Sequence, residues 1–447
     1  SALRRYRRIL TDLQVDEVDV IATAASRLAK NGPAFLQRVA ECGFDPLLLS
    51  GEREARTSAM GVIGAFPGAE GVVVDLGGAS GELVESARGQ CTHGGSLPLG
   101  TLMLPTLRAA GAEKFKRHVN RALKGENWAH PVNQPLYMVG GTWRALAGFA
   151  MEEAGHPLTD PHGFTLDGAE ALRLAKHVRL SKAKKINVSR VSAMRAAMLP
   201  DAATLLQILI AKLEPSKLIF SSWGLREGRL FEGLDAAAKT QDPLLAGVAS
   251  FCAPRGGPPT LATLVAGWTV NALPRDGRGS ERVRLAATML ALASVQIEPN
   301  LRLKQAINWA LHKRWLDIDD EGRAMIAAAV SAHSGNLDLP RTLSRLASRE
   351  MLDEAIGWGL AIRLARRLGG GSRRSLRNSA LATVGDALVL YLGETHADLR
   401  AEHVEQDLAA LATRLSLRPA IEIVPNDSLL ARTTFEIPQR APMQEES

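Results

Sequence analysis

Cysteine is scarce in this 447-residue chain: only Cys42, Cys91 and Cys252 occur, odd in number and far apart. Three such residues build neither a disulfide framework nor a Cys-x-x-Cys metal knuckle, so a reducing, cytoplasmic setting is expected. Long hydrophobic runs are missing too. The uncharged stretch from Gly256 to Pro274 is broken by Pro258, Pro259 and Asn271. The apolar run from Leu285 to Ile297 is shorter than a bilayer-spanning helix requires. No secretory signal pattern opens the chain, because Ser1-Ala2-Leu3-Arg4-Arg5-Tyr6 reads as a helix already under way. Nor does any repeat of solenoid period occur. These absences argue against secreted disulfide-rich, membrane-spanning and solenoid classes.

The composition that remains is 46% hydrophobic and 23% charged, which excludes a largely disordered chain. A formal net charge of +7 suits a polyanionic partner (nucleic acid, anionic membrane or polyphosphate) without choosing among them.

Along the first half, strand and helix alternate at α/β spacing. Residues 2–14 place Leu3, Tyr6, Leu10 and Leu13 at helical spacing. A strand is predicted at 18–23, a helix around 27–42, a strand at 46–50 and a helix from 52 to about 64. Then three apolar runs each end in small residues. Val72 to Leu76 meets Gly77-Gly78-Ala79-Ser80-Gly81; Leu136 to Val139 meets Gly140-Gly141-Thr142; Leu218 to Phe220 meets Ser221-Ser222-Trp223-Gly224. Strands that end this way imply a site at the carboxyl ends of a sheet. After about Leu234 the texture turns to helices rich in Ala, Leu and Arg. Gly369 to Ser375 reads as a linker, followed by a hairpin at 380–392, a helix at 404–415, a strand at 420–424 and a loose tail from Thr433.

Asp75 to Leu83 (D-L-G-G-A-S-G-E-L) is the most specific segment. Glycines let main-chain N–H groups approach an anion, Asp75 can hold Mg²⁺ or its water shell, and Glu82 can add a second carboxylate oxygen. The bland reading is a tight hairpin with Asp75 as a turn residue. Glu52 and Glu54 stand in the first turn of a helix, where they either complement its dipole or supply a general base. Arg27, on the first turn of a predicted helix after a strand, is either a surface residue or a fork for phosphate.

Taken together, the segments resemble the exopolyphosphatase/guanosine pentaphosphate phosphatase family, within the superfamily of actin, sugar kinases and heat-shock chaperones. The motifs are A-T-A-A-S-R (Ala22–Arg27), S-G-E-R-E-A-R (Ser50–Arg56), V-D-L-G-G-A-S-G-E-L (Val74–Leu83), S-L-P-L-G (Ser96–Gly100), G-G-T-W-R-A-L-A (Gly140–Ala147) and S-W-G-L-R-E-G (Ser222–Gly228). They follow the family order from Ala22 to about Leu234. The resemblance implies Glu54 as the base that activates water, Arg27 as phosphate ligand, and Asp75 and Glu82 as the carboxylates near Mg²⁺. It also implies Gly77, Gly78, Ala79 and Ser80 as a phosphate loop, with Gly140 and Gly141 as a distal glycine pair. The implied fold is an actin-like α/β core of two lobes, then an all-helical domain resembling metal-dependent HD phosphohydrolases, then a small C-terminal α/β domain. Its bounds are read as 1–68, 69–235, 236–370 and 371–447. The implied activity is hydrolysis of terminal phosphate from inorganic polyphosphate, with guanosine pentaphosphate as the alternative substrate and a non-hydrolytic binding protein as the alternative of another class. A cytoplasmic homodimer with no nucleic-acid or membrane partner completes the expectation.

Three departures from the family and one charge run stand out. Ala79 replaces a usual glycine and Gly81 a usual threonine, so the loop is expected to be slightly more crowded and to lack one hydroxyl. The first phosphate loop, D-x-G-S-N-S, is not in the sequence; the expectation is a longer chain, of about 500 residues, whose first hairpins precede Ser1. Without that hairpin the sheet should expose an unpaired edge. At the HD position, Met289-Leu290-Ala291-Leu292-Ala293 offers no ligand, and His312 and His333 are too scattered to make a metal site. Finally, Arg341 to Ala380 holds nine arginines against three acidic residues, a local net of +6. Such a run is usually a solvated face, yet a polyphosphate chain needs this kind of track.

Overall fold

The computed structural model describes residues 2–125, 131–181, 191–273 and 281–429. The tail expected to be loose from Thr433 lies outside the described residues. Two compact units divide after Pro243.

In the first unit β1 (Val20–Ala22) pairs in parallel with β2 (Pro46–Leu48). A second sheet contains β3 (Gly71–Leu76), β4 (Gly81–Ala87), β5 (Gln90–Leu97), β6 (Leu136–Val139), β7 (Thr165–Asp167) and β8 (Lys217–Ser221). Its order is β5-β4-β3-β6-β8-β7. Strands β3, β6 and β8 run parallel, β4 is antiparallel to β3 and β5, and β7 is antiparallel to β8. The result is a mixed α/β sheet core, as the actin-like expectation requires. The valines of β3 are buried whichever way they point, which marks a strand covered on both faces.

Strand parity then decides where the chemistry goes. Val72, Val74 and Leu76 join one core cluster with Leu83, Leu136 and Met138, against helices that include Gly141–Glu153 and Ala193–Leu213. Val73, Val84, Tyr137 and Val139 join the other, against Ala55, Ala59 and Val62 of helix Gly51–Ala65. Because successive side chains alternate, Asp75 shares the face of Val73, and Glu82 that of Val84. Both carboxylates therefore belong to the face covered by the helix that carries Glu54.

That helix lies very close to helix Leu225–Glu232. A Cβ on Gly61 would come within 2.3 Å of Gly224 O, and one on Gly228 within 1.8 Å of Thr57 O. The S-W-G-L-R-E-G motif is thus a packing device as well as a strand tip. The predicted helix over 27–42 is instead two, Ala24–Leu28 and Gly32–Ala40, broken where Gly32-Pro33 starts a new N-terminus. Arg27 accordingly sits in the last turn of a short helix, not in the first turn of a long one. Within β2, Leu47 and Leu48 are exposed.

Among the described residues one helix, Ala193–Leu213, is long and apolar enough to cross a membrane, and its apolar window is mostly buried in the core. The second unit is largely helical to Gly369. It then forms the sheet β11 (Arg418–Val424), β10 (Ala387–Gly393), β9 (Ser379–Val384), with β9 antiparallel and β11 parallel to β10. The expected linker after Gly369 is a tight turn within this unit: Gly370 and Gly371 take left-handed φ of 58° and 85°, and helix Arg373–Arg377 follows at once.

Candidate active site

Parallel strands side by side bring their carboxyl ends together. The register aligns Asp75 of β3 with Val139 of β6, and Val139 with Ser221 of β8. Gly140 follows Val139 with φ +113°, and a Cβ there would fall 2.7 Å from Leu76 O and 3.2 Å from the Asp75 carboxylate. Only glycine meets both demands. Gly224 is a second such floor: its Cβ would lie 2.7 Å from Val139 Cγ1 and 3.8 Å from Asp75 Oδ2.

The carboxyl ends of β1 and β2 supply the other side. Ser50 caps helix Gly51–Ala65 by accepting from the Arg53 N–H at 3.2 Å, which leaves Glu54 free of capping duty. Glu54 is buried and accepts from Arg27 Nη1 at 3.0 Å, while the same nitrogen donates to Leu49 O at 2.6 Å. One turn on from Glu54, Ser58 donates to Asp75. Ser58 was not singled out in the sequence, although its spacing of four from Glu54 places both on one helix face.

Asp75 and Glu82 stand directly opposite each other across β3 and β4. Like charges so placed oppose each other. Burial holds the Asp75 carboxyl above its ordinary range; the Ser58 hydroxyl opposes that, Glu54 adds to it, and Arg144 opposes it. Burial also pushes Glu82 up to about 8, with Asp75 and Glu54 adding and the hydroxyls of Ser80 and Ser96 opposing. Ser80 donates to Glu82, and Ser96 does so at 3.1 Å. A cation would relieve this crowding of negative charge, and hard oxygen donors suit Mg²⁺. Among the described residues no three His, Cys, Asp or Glu side chains are grouped so as to hold a metal by themselves. Mg²⁺ is commonly held by one or two carboxylates together with phosphate oxygens and water, and Asp75 and Glu82 are two facing carboxylates.

The loop between the two carboxylates is shaped from both sides. Gly77 N–H is engaged with Ser80 O at 3.0 Å, closing the hairpin, so it is not a free donor for phosphate. Gly78 and Ala79 lie at the tip, with Gly78 exposed. Thr101 and Leu102 donate to the carbonyls of Gly77 and Gly78 at 2.9 and 3.0 Å. A Cβ on Gly100 would strike Ala79 C at 2.2 Å and Gly78 O at 2.4 Å. The S-L-P-L-G segment therefore braces the loop with Gly100 and reaches Glu82 with Ser96. At Gly81, where the family's threonine hydroxyl is missing, a Cβ would make only an ordinary 3.5 Å contact with Leu99. Gly141 lies under a cation missed in the sequence: its Cβ would sit 3.1 Å from the Arg195 guanidinium. Arg144, also missed, donates to Ser222 O at 3.1 Å.

The structure thus brings Arg27, Glu54, Asp75, Glu82, the 77–80 loop and Gly140 into one site, with Gly141 at its edge beside Arg195. An ion-paired carboxylate, two facing carboxylates and a glycine-bearing loop can together orient a phosphate and deprotonate water.

Comparisons with known proteins agree with the motifs. Residues 1–237 match the model of the Ppx/GppA phosphatase family. Retrograde regulation protein 2 of Saccharomyces cerevisiae (strain ATCC 204508 / S288c) is 27% identical over 274 residues, covering 55% of this chain and 47% of that protein. The chain so spans about half the length of this curated relative. Among solved structures, the Aquifex aeolicus PPX-GPPA enzyme is 28% identical, with 51% of this chain and 79% of that chain covered at a TM-score of 0.43. An exopolyphosphatase from Cytophaga hutchinsonii ATCC 33406 is 21% identical, with 52% and 81% covered at a TM-score of 0.46.

Proposed function

Because the chain belongs to the Ppx/GppA phosphatase family, we propose that it is an exopolyphosphatase, hydrolysing terminal phosphate from inorganic polyphosphate. The observation that carries this reading is the meeting of the Arg27–Glu54 pair with the facing carboxylates Asp75 and Glu82 at the carboxyl ends of the strands. Arg27 binds and orients the terminal phosphoryl group, and the 77–80 loop receives it at its tip. Glu54 takes a proton from water as the water oxygen bonds to the terminal phosphorus. The bridging P–O bond breaks, so that orthophosphate and a chain one unit shorter leave. Asp75 and Glu82 would hold Mg²⁺, which when bound offsets negative charge on the phosphate oxygens. The HD-like helical domain, the four-domain division, and a cytoplasmic homodimer without nucleic-acid or membrane partners belong to the same proposal.

Orthophosphate release from polyphosphate, measured beside release from guanosine pentaphosphate, tests the substrate. Preference for the pentaphosphate would replace polyphosphate with that nucleotide. A second reading, a regulator that holds polyphosphate or an alarmone without turnover, is favoured by the direct tie between Arg27 and Glu54. The match to a relative named as a regulation protein also favours it. Binding without any release that Glu54→Ala abolishes would establish it over the enzyme reading.

A further inference from the structure

The arginine-rich run that the motifs left over becomes a defined cluster in the second unit. Helix Arg349–Gly369 carries Arg363, Arg366 and Arg367 at helical spacing. Helix Asp320–His333 ends in His333, which is 1% exposed. Arg366 Nε donates to His333 Nε2 at 3.2 Å. Arg302, from helix Pro299–His312, donates Nε to Ser294 O at 3.2 Å. Its Nη2 donates to Val295 O and Ile297 O at 3.2 and 3.1 Å. Asp407, on helix Glu402–Arg414, accepts from Arg363 Nε at 2.9 Å and from Arg367 Nη1 at 3.1 Å.

Two guanidiniums thus meet one carboxylate, and a third meets His333. Burial holds Arg366 below its ordinary range, and Arg302, Arg363 and Arg367 press it further, with Asp407 opposing. Burial and then Arg366, Arg302 and Arg363 push His333 down to about 3. The ring is therefore neutral at neutral pH, and its tautomer is fixed. Arginine can only donate, so Nε2 is the acceptor and the ring proton sits on Nδ1. Nδ1 is buried with no partner among the described residues, and so is Asp407 Oδ2. These surroundings repel a metal cation. Asp407 is the one carboxylate these contacts bring among the arginines, so positive charge is in excess, and planar guanidinium forks match an oxyanion better than a spherical ion. The side chains of Arg363 and Arg367 are 25% and 29% exposed, so solvent reaches the cluster.

We propose that this cluster is a binding site for a tetrahedral oxyanion of the phosphate class, held by Arg363, Arg366 and Arg367 with His333 Nδ1 as a neutral donor. Asp407 orients two of the guanidiniums, and its bare oxygen can accept from a protonated phosphate. The oxyanion comes either as free orthophosphate or as a phosphoryl group of a chain; only the second source rests on the polyphosphate reading.

The test is the ¹⁵N resonance of the His333 ring in the full chain, assigned by its loss in His333→Gln. It is followed during titration with orthophosphate, tripolyphosphate, or sodium chloride at matched ionic strength. A shift with orthophosphate supports the free anion, and a shift with tripolyphosphate alone supports the chain-borne source. Arg366→Gln should weaken either response at least tenfold while Arg366→Lys retains part of it. No shift with either phosphate, or an equal shift with chloride, overturns the proposal. The wild-type titration decides even if a variant fails to fold. Hydrolysis is read separately by orthophosphate release: turnover without a His333 shift sinks only this site, and a shift without turnover sinks only the enzyme reading.

Discussion

At the tips of β3 and β4 carboxylates crowd carboxylates; around His333 guanidiniums crowd guanidiniums. In the first place burial and neighbours push acids up, and in the second they push bases down. Each pattern names the counter-charge its surroundings call for, a cation in one and an anion in the other. The supports differ as well. Serine hydroxyls from Ser58, Ser80 and Ser96 steady the acids. Helix-end carbonyls and Asp407 steady the arginines. Hydroxyls can donate to a carboxylate and carbonyls can accept from a guanidinium, so each cluster recruits the neutral group that suits its sign.

The sharpest way to separate the two regions is Glu54→Gln. Orthophosphate release should fall about 10²- to 10⁴-fold, the range for loss of a general base, while the His333 resonance is unmoved. Initial rates beside a binding measurement check this; unchanged turnover would remove Glu54 from the mechanism. Next in size is Gly228→Ala, whose new methyl would meet Thr57 O at 1.8 Å. Forcing that crossing apart should destabilise the first unit by about 3 kcal/mol, read as a lowered midpoint in chemical denaturation.

His333 gives the second unit a pH signature. Its folded value, about 3, lies below the ordinary 6.5. The unfolded chain therefore binds the extra proton first as pH falls. Stability from the neutral ring is complete above 6.5 and is lost on acidification between 6.5 and 3. The slope is about 1.4 kcal/mol per pH unit at most. Subtracting the pH profile of His333→Gln isolates it, and identical profiles would contradict the buried, neutral ring. The smallest effect is expected at Arg53, whose pair with Glu232 is half exposed. Arg53→Ala should cost ~0.5 kcal/mol, and a denaturation midpoint shifted far beyond that would show the pair to be more than a surface contact.

Much of the first unit was legible because its signals are local. The tips at Asp75, Gly140 and Ser221 could be read from apolar runs ending in small residues. Strand β5 was missed because Gly94 and Gly95 interrupt any clear alternation, and β7 because three residues on an edge carry little pattern. The break before Gly32-Pro33 was overridden by an apolar period that continues through it. Ser58, Gly224 and Arg195 act through neighbours distant in sequence, which spacing alone does not place. The same holds for Arg366 and His333: a charge run looks like a solvated face until a second helix buries part of it.

The hairpin between Asp75 and Glu82 has a consequence for redesign. Composition in that loop is an adjustable quantity, as Ala79 and Gly81 already illustrate. Length is a two-valued switch, because strand side chains alternate. One residue added or removed between the two acids would give Glu82 the parity of Leu83 and turn a charge into the apolar cluster on the far face. Variants that recolour the loop can be graded; variants that change its length by one should be all or none.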